Sequence, residues 1–102
     1  MATKNNPGKF DCYAKADPDE PLFVLRAKDP IAPMLVQIWR MVRSGNVDSA
    51  IKAIHRAIRV QREAGKELLP ITSDKSQEAA RCFEAMEEWY KENVLAKAAT
   101  ND

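Results

Sequence analysis

The sequence is poor in the residues that build disulfide and metal sites. It has two cysteines, Cys12 and Cys82, which lie far apart and form no CxxC pair, and one histidine, His55. Disulfide frameworks and zinc fingers need several such residues at short spacing. One histidine cannot supply a histidine-based metal cluster within a chain. We therefore expect no structural disulfide, no metal site and no cofactor.

Long apolar stretches and a secretory leader are also lacking. The longest apolar runs, Leu22–Leu25 and Met34–Val36, are far shorter than the roughly 20 residues that cross a bilayer. Met1 leads into polar residues, whereas a secretory signal would continue with an apolar segment. These features predict a soluble protein of a reducing compartment.

Neither sign of charge is in clear excess. The chain has 16 basic and 15 acidic residues and a formal net charge of +1. A protein that coats nucleic acid needs an excess of basic side chains, so the total disfavours that class. The total hides an asymmetry, because residues 1–66 hold 12 basic and 7 acidic side chains while residues 67–102 hold 4 and 8. The basic part can face the acidic part or an anionic ligand.

Catalytic motifs are missing too. There is no glycine-rich phosphate loop, no G-x-S-x-G elbow and no HExxH pair. Spacing alone allows His55 to pair with Cys12 or Cys82. However, Cys82 falls on an apolar helical stripe, where cysteine usually behaves as a small hydrophobic residue. The sequence predicts that the protein is not an enzyme.

Helical periodicity is present and begins after Asp29. This residue is a favourable N-cap, Pro30 suits the first helical position, and Pro33 still falls in the tolerated first turn. Ser44 and Gly45 are expected to end the helix, because glycine adopts the left-handed cap without strain. The apolar positions at helical spacing are Ile31, Met34, Leu35, Ile38, Met41 and Val42.

A second helix is expected from Asn46 or Asp48 to about Gly65. Its apolar positions are Val47, Ile51, Ile54, Ala57 and Ile58, and its other side carries the basic residues Lys52, His55, Arg56, Arg59, Arg62 and Lys66. Such a row can pair with acidic residues, remain solvated or bind phosphates, and the first two uses are the commoner ones.

A third helix is expected after Thr72, Ser73 or Asp74, because Asp74-x-x-Gln77 resembles a capping box. Its apolar side holds Ala79, Cys82, Phe83, Met86, Trp89, Tyr90 and Val94, and its acidic side holds Glu78, Glu84, Glu87, Glu88 and Glu92. Together with Trp39 on the first helix, this apolar stripe is wider than the surface that one small neighbouring helix would cover. It predicts either an internal core or cover by another subunit.

These elements predict an all-α fold, a small antiparallel bundle of about three helices with an irregular N-terminal arm. Residues 1–9 are expected to form a flexible tail, residues 10–96 a single helical domain and residues 97–102 a frayed tail. A chain this small buries a limited share of its surface, which favours oligomerisation; the expected homo-oligomer itself is what the resemblance described below implies.

The N-terminal arm contains a pair of residues suited to a nucleotide. Tyr13 can stack a base, a contact worth about 1–3 kcal/mol. Lys28 can pair with a phosphodiester and precedes a predicted helix N-terminus, which favours anions. Arg26 is a weaker second cation. Tyrosine and lysine near a turn are also ordinary surface residues, and spacing alone favours that reading.

The segments Phe10–Lys15 and Asp19–Pro30, followed by Ala32–Pro33 and Trp39, resemble the anti-CBASS sponge proteins of phages. These proteins disarm a bacterial cyclic-nucleotide immune system by holding its signal. The run Ala80–Trp89 is similar as well, whereas the middle of the chain is not matched.

The resemblance implies a helical protein of the host cytoplasm that forms a compact hexamer. It implies that cyclic dinucleotides bind where two subunits meet, with Tyr13 and Lys28 at the positions of the family's central contacts. A separate three-fold site for cyclic trinucleotides would use an arginine late in the chain, for which Arg81, Arg62 and Lys75 are the candidates. It implies sequestration without catalysis. The short apolar runs and the balanced charge, by contrast, are what predict no membrane partner and disfavour nucleic acid.

Two other functions fit the residues. A small helical DNA-binding regulator would use the basic row of the second helix, in particular Arg56, Arg59 and Arg62. A protein-binding adaptor would use the aromatic stripe of the third helix.

Overall fold

The computed structural model describes residues 2–9, 11–64 and 68–100. Over these ranges the chain forms helices and no strand, as the sequence predicts. It divides into two compact units, Val24–Ser73 and a second one made of Met1–Phe23 with Asp74–Asp102. We call the first the hairpin unit and the second the terminal unit.

The hairpin unit consists of α2, Ala32–Arg43, and α3, Val47–Glu63, which pack against each other. All buried residues among the described ones lie on these two helices: Ala32, Met34, Met41, Ala50 and Ala53. Alanines on α3 let the two backbones approach closely, and the flexible methionines of α2 fill the remaining space. This small core positions everything else in the unit.

The predicted start of the first helix is wrong. Asp29 is not the N-cap, because α2 begins at Ala32 after Ile31. An N-cap at Asp29 would require its carbonyl to accept from the backbone nitrogen of Pro33, which carries no hydrogen. The Asp29 carbonyl instead accepts from Ala32 N at 3.1 Å, and its Oδ1 accepts from Ile31 N at 3.0 Å. Residues 27–31 therefore form turns that lead into α2.

The predicted link between the two helices is confirmed. Gly45 has φ +75°, the left-handed conformation that glycine adopts without strain. Its N–H donates to Val42 O at 3.1 Å, and Asn46 N donates to Met41 O at 2.9 Å, which is the pattern of a Schellman cap. Asn46, rather than Asp48, caps α3, since its Oδ1 accepts from Ser49 N at 3.1 Å.

The buried face of α3 differs from its most apolar face. The large residues expected at its apolar positions are substantially exposed: Val47 65%, Ile51 47%, Ile54 44% and Ile58 53%. Ala50 and Ala53 are buried instead. The predicted stop at Gly65 and the last member of the basic row, Lys66, lie outside the described residues.

The terminal unit begins with one short helix that the sequence did not predict. This helix, α1, spans Cys12–Lys15, and Asp11 caps it by accepting from Ala14 N at 3.2 Å. Phe10, which opens the predicted domain, lies outside the described residues. Residues 2–9 form no helix, although Thr3 and Asn6 bond each other through their backbones.

The remainder of the terminal unit is one continuous helical run. It contains α4, Asp74–Tyr90, a π-helical segment, Lys91–Leu95, and α5, Ala96–Thr100. Asp74 is the first helical residue, which leaves Ser73 in the N-cap position. Helix extends through residues 97–100, where the sequence predicted fraying, because this stretch is rich in alanine, the strongest helix former.

A side-chain bond lies next to the π-helical segment. Asn93 Nδ2 donates to Trp89 O at 3.0 Å, the carbonyl to which an α-helical Asn93 N–H would donate. At the end of the segment Ala96 N donates to Lys91 O, five residues back, which is the π-helical spacing.

Candidate functional site

Tyr13 is displayed on α1. Its side chain is 86% exposed, although the helical turn that carries it is held by the Asp11 cap. An aromatic ring with so little contact is available to stack on another flat group. The structure therefore places the predicted stacking residue on an ordered and accessible turn.

Lys28 is exposed in the turns before α2. Its neighbour Asp29 donates its N–H to Arg26 O at 3.0 Å, which closes a turn around Lys28. No carboxylate of the described residues lies within ion-pair distance of Lys28 or of the exposed Arg26. Both cations are thus available to an anion.

The expected support of Lys28 by a helix N-terminus is not found. The helix begins at Ala32, further along the chain, and the Asp29 carboxylate already accepts from the Ile31 N–H. Anion binding at Lys28 would therefore depend on side-chain charge and not on free helical amides. Tyr13 belongs to the terminal unit, and Lys28 belongs to the hairpin unit. The surroundings given above for each residue are those within its own unit.

The three candidates for a trinucleotide site differ in their surroundings. Arg81 is paired within α4, with Nη2 3.0 Å from Glu78 Oε2 and Nε 3.3 Å from the same oxygen. Lys75 is exposed in the first turn of α4. Arg62 lines an open and largely apolar groove of about 430 Å³ in the hairpin unit, together with Ile31, Ala57, Ile58, Gln61 and Leu68.

The basic row of α3 is solvent-exposed. Lys52, Arg56, Arg59 and Arg62 are exposed, and none has a carboxylate of the described residues within 4.0 Å. Two of them, Lys52 and Arg56, line a second groove with Gln37 and Ser49. The i, i+4 spacing of the two cations was visible in the sequence, but the contribution of α2 through Gln37 was not.

The two cysteines of the terminal unit differ in their surroundings. Cys12 is exposed, and Cys82 is half-buried with its Sγ donating to Leu22 O at 3.5 Å. His55 lies on α3 in the other unit, where it is exposed. Among the described residues, no group of three or more His, Cys, Asp or Glu side chains could hold a metal ion.

One carboxyl group has a perturbed pKa. Glu88 raises the pKa of Glu92 above its ordinary value, chiefly through a side-chain hydrogen bond and then through charge repulsion, with a smaller contribution from desolvation. The pair lies on the exposed acidic side of the terminal helical run.

Both helices of the hairpin unit expose large apolar side chains. On α2 these are Val36, Trp39 and Val42, each at least 60% exposed, and on α3 they are Val47, Ile51, Ile54 and Ile58. Together these side chains form a large apolar area on the surface of the hairpin unit.

Comparison of this chain with protein-family models, curated proteins and solved structures found no match. A search of the described helices for one long and apolar enough to cross a membrane found none.

Proposed function

We propose that this protein is a non-enzymatic sponge for cyclic dinucleotides, which it sequesters in the host cytoplasm and thereby withdraws from CBASS antiphage signalling. The observation that carries the proposal is the exposure of Tyr13 on an ordered, capped turn. The resemblance of the N-terminal segments to anti-CBASS sponges assigns a role to that ring.

The chemistry of Tyr13 and Lys28 suits a cyclic dinucleotide. The ligand has two bases and two phosphodiesters in nearly two-fold arrangement, and a two-fold pair of subunits supplies two tyrosines and two lysines in the same symmetry. Each tyrosine would stack on a base and each ammonium would neutralise a phosphodiester. One chain needs to contribute only half of the site.

Self-association is supported by the exposed apolar surface. A chain whose described buried residues number five, all on α2 and α3, has much apolar area left to cover. Copies of the same chain can cover it with closed symmetry, and the proposed assembly is the hexamer of the resembling family. Sequestration then follows mass action, because free messenger falls when tight sites outnumber it.

Cyclic trinucleotides are a second proposed ligand, and Arg62 is the best-placed contact for them. Its guanidinium has no described acidic partner and borders an apolar groove. Arg81 would first have to leave Glu78.

Calorimetry with a panel of cyclic dinucleotides tests the main proposal. Tyr13→Ala and Lys28→Ala should each abolish measurable binding, while far-UV circular dichroism shows the helices retained. The matched control is Lys91→Ala, a lysine exposed on the terminal helical run, and this variant should bind normally. Normal binding by both Tyr13→Ala and Lys28→Ala would refute the site.

A release experiment tests sequestration against catalysis. The protein is incubated with ligand, separated from free ligand and heat-denatured, and the released nucleotide is examined by chromatography. Intact ligand released by the denatured protein supports a sponge, cleaved nucleotide in the free or the retained fraction shows an enzyme, and intact ligand found only in the free fraction refutes both.

The exposed basic row of α3 favours one alternative, a DNA-binding regulator. That function predicts duplex binding that weakens steeply with salt and depends on Arg56, Arg59 and Arg62. A gel-shift assay at low salt without retardation would eliminate it.

A further inference from the structure

The groove between α2 and α3 is lined by two cations that form no ion pair with a carboxylate of the described residues. It has a volume of about 430 Å³, and its polar lining consists of Gln37 from α2 and Ser49, Lys52 and Arg56 from α3. No carboxylate lines it, and none of the described carboxylates lies within 4.0 Å of Lys52 or Arg56. Two like charges one helical turn apart repel each other, and a bound anion would relieve that repulsion.

The groove also offers neutral hydrogen-bond donors. Gln37 Oε1 accepts from Arg40 Nη1 at 3.4 Å, which leaves the amide N–H groups of Gln37 as donors. Ser49 contributes a hydroxyl on the opposite helix. Donors therefore stand on both sides of the groove, in addition to the two cations on α3.

The floor of the groove is apolar and well packed. Met34 is 4% exposed and Ala53 is 7% exposed, and both belong to the core of the hairpin unit. Pro33 forms an apolar rim. Because α2 and α3 pack against each other, the backbone positions that carry the two cations and the apolar floor are set before any ligand arrives, which limits the ordering cost of binding to the side chains themselves.

We propose that this groove binds a phosphate monoester whose apolar part lies over Pro33 and Met34. A phosphate monoester carries close to two negative charges near neutral pH, which matches one lysine and one arginine. The guanidinium of Arg56 can hold two phosphate oxygens at once, and the ammonium of Lys52 adds a point charge. The volume lies within the usual range for small-molecule sites. This site is separate from Tyr13 and Lys28 and does not depend on their proposed role.

The test is an NMR titration of the full chain with phenyl phosphate, followed through backbone amide signals. Signals of Gln37 and of residues 49–56 should shift and saturate, and inorganic phosphate, which lacks the apolar part, should bind at least about tenfold more weakly, a difference of about 1.4 kcal/mol. The double variant Lys52→Gln with Arg56→Gln should weaken phenyl phosphate at least about tenfold. The matched control is Arg59→Gln, on the same helix but outside the groove lining, and it should change affinity by less than about twofold.

Three results would overturn the proposal. The first is the absence of saturable shifts, and the second is an equal loss of affinity in Arg59→Gln, which would show a general response to charge. The third is displacement of phenyl phosphate by a cyclic dinucleotide, which would make the groove part of the dinucleotide site. Retained binding of phenyl phosphate by Tyr13→Ala would support a separate site, whatever becomes of the sponge function.

Discussion

The hairpin unit and the terminal unit bury their side chains very differently. Every described buried residue belongs to α2 or α3, whereas the longest helical run of the molecule, from Asp74 to Thr100, has no buried residue among the side chains described. The helices of both units are amphipathic in sequence, so amphipathicity alone does not produce a core. A core requires a second helix of complementary shape, and α2 and α3 provide one for each other through methionine set against alanine.

Among the variants that test this comparison, Met34→Ala should have the largest effect on stability. Removing a nearly buried methionine leaves a cavity, so we expect the free energy of unfolding to fall by about 2–4 kcal/mol. The control is Met86→Ala on α4, where the side chain is 39% exposed and the loss should stay below about 1 kcal/mol. Urea unfolding followed by circular dichroism measures both. Equal losses would mean that the terminal unit has a core of its own.

The second test uses two glycines with the same backbone conformation. Gly8 and Gly45 both have φ +75°, but only Gly45 ends a packed helix. Gly45→Ala should cost about 1–2 kcal/mol, because alanine is strained at positive φ, although space for the methyl group is open. Gly8→Ala should leave the urea midpoint nearly unchanged. A comparable loss in Gly8→Ala would show that residues 2–9 contribute to stability.

Helix caps provide a smaller contrast. Asn46→Ala removes the acceptor for Ser49 N and should lower the unfolding free energy by about 1 kcal/mol, while Asn46→Asp should largely retain it. Asp11→Ala removes the equivalent cap of α1, a helix of four residues. Thermal unfolding should detect the first substitution and not the second, and the reverse result would contradict the comparison.

The smallest expected effect concerns the acidic side of the terminal run. Glu88 raises the pKa of Glu92, so the folded state binds this proton more tightly than the unfolded state does. The contribution of Glu92 to the free energy of unfolding therefore increases as the pH falls toward its raised pKa. Glu92→Gln should raise the thermal midpoint slightly at neutral pH, and the gain should shrink in acid.

Asp19→Asn, an exposed carboxylate in a turn of the terminal unit, serves as the control for Glu92→Gln. If Asp19→Asn raised the thermal midpoint by the same amount, the effect of Glu92→Gln would come from net charge and not from the neighbouring Glu88.

The three long helices could be predicted from the sequence, whereas the short helix α1 was not. Gly45 and Asn46 fix the link between α2 and α3 through bonds to their immediate neighbours. The start of α2 could also have been found, because Pro33 lacks the hydrogen that a cap at Asp29 would need. The missed signal was local and lay in the position of one proline.

The site was less predictable than the helices. Residue types singled out Tyr13 and Lys28, and both are exposed. Only one side of the groove at Lys52 and Arg56 could be identified from the sequence, because Gln37 joins the groove through the packing of α2 on α3. Spacing along one helix cannot reveal a residue on the facing helix.

The sequence by itself determined the three long helices, where α2 ends and α3 begins, and which residues carry the charge. These features depend on hydrogen bonds and backbone angles within a few residues. Only the tertiary structure decided that Ala50 and Ala53, rather than Ile51 and Ile54, face the core. The reason is geometric: burial depends on the shape of the partner helix, and small residues allow α2 to approach closely enough for its methionines to fill the space between them.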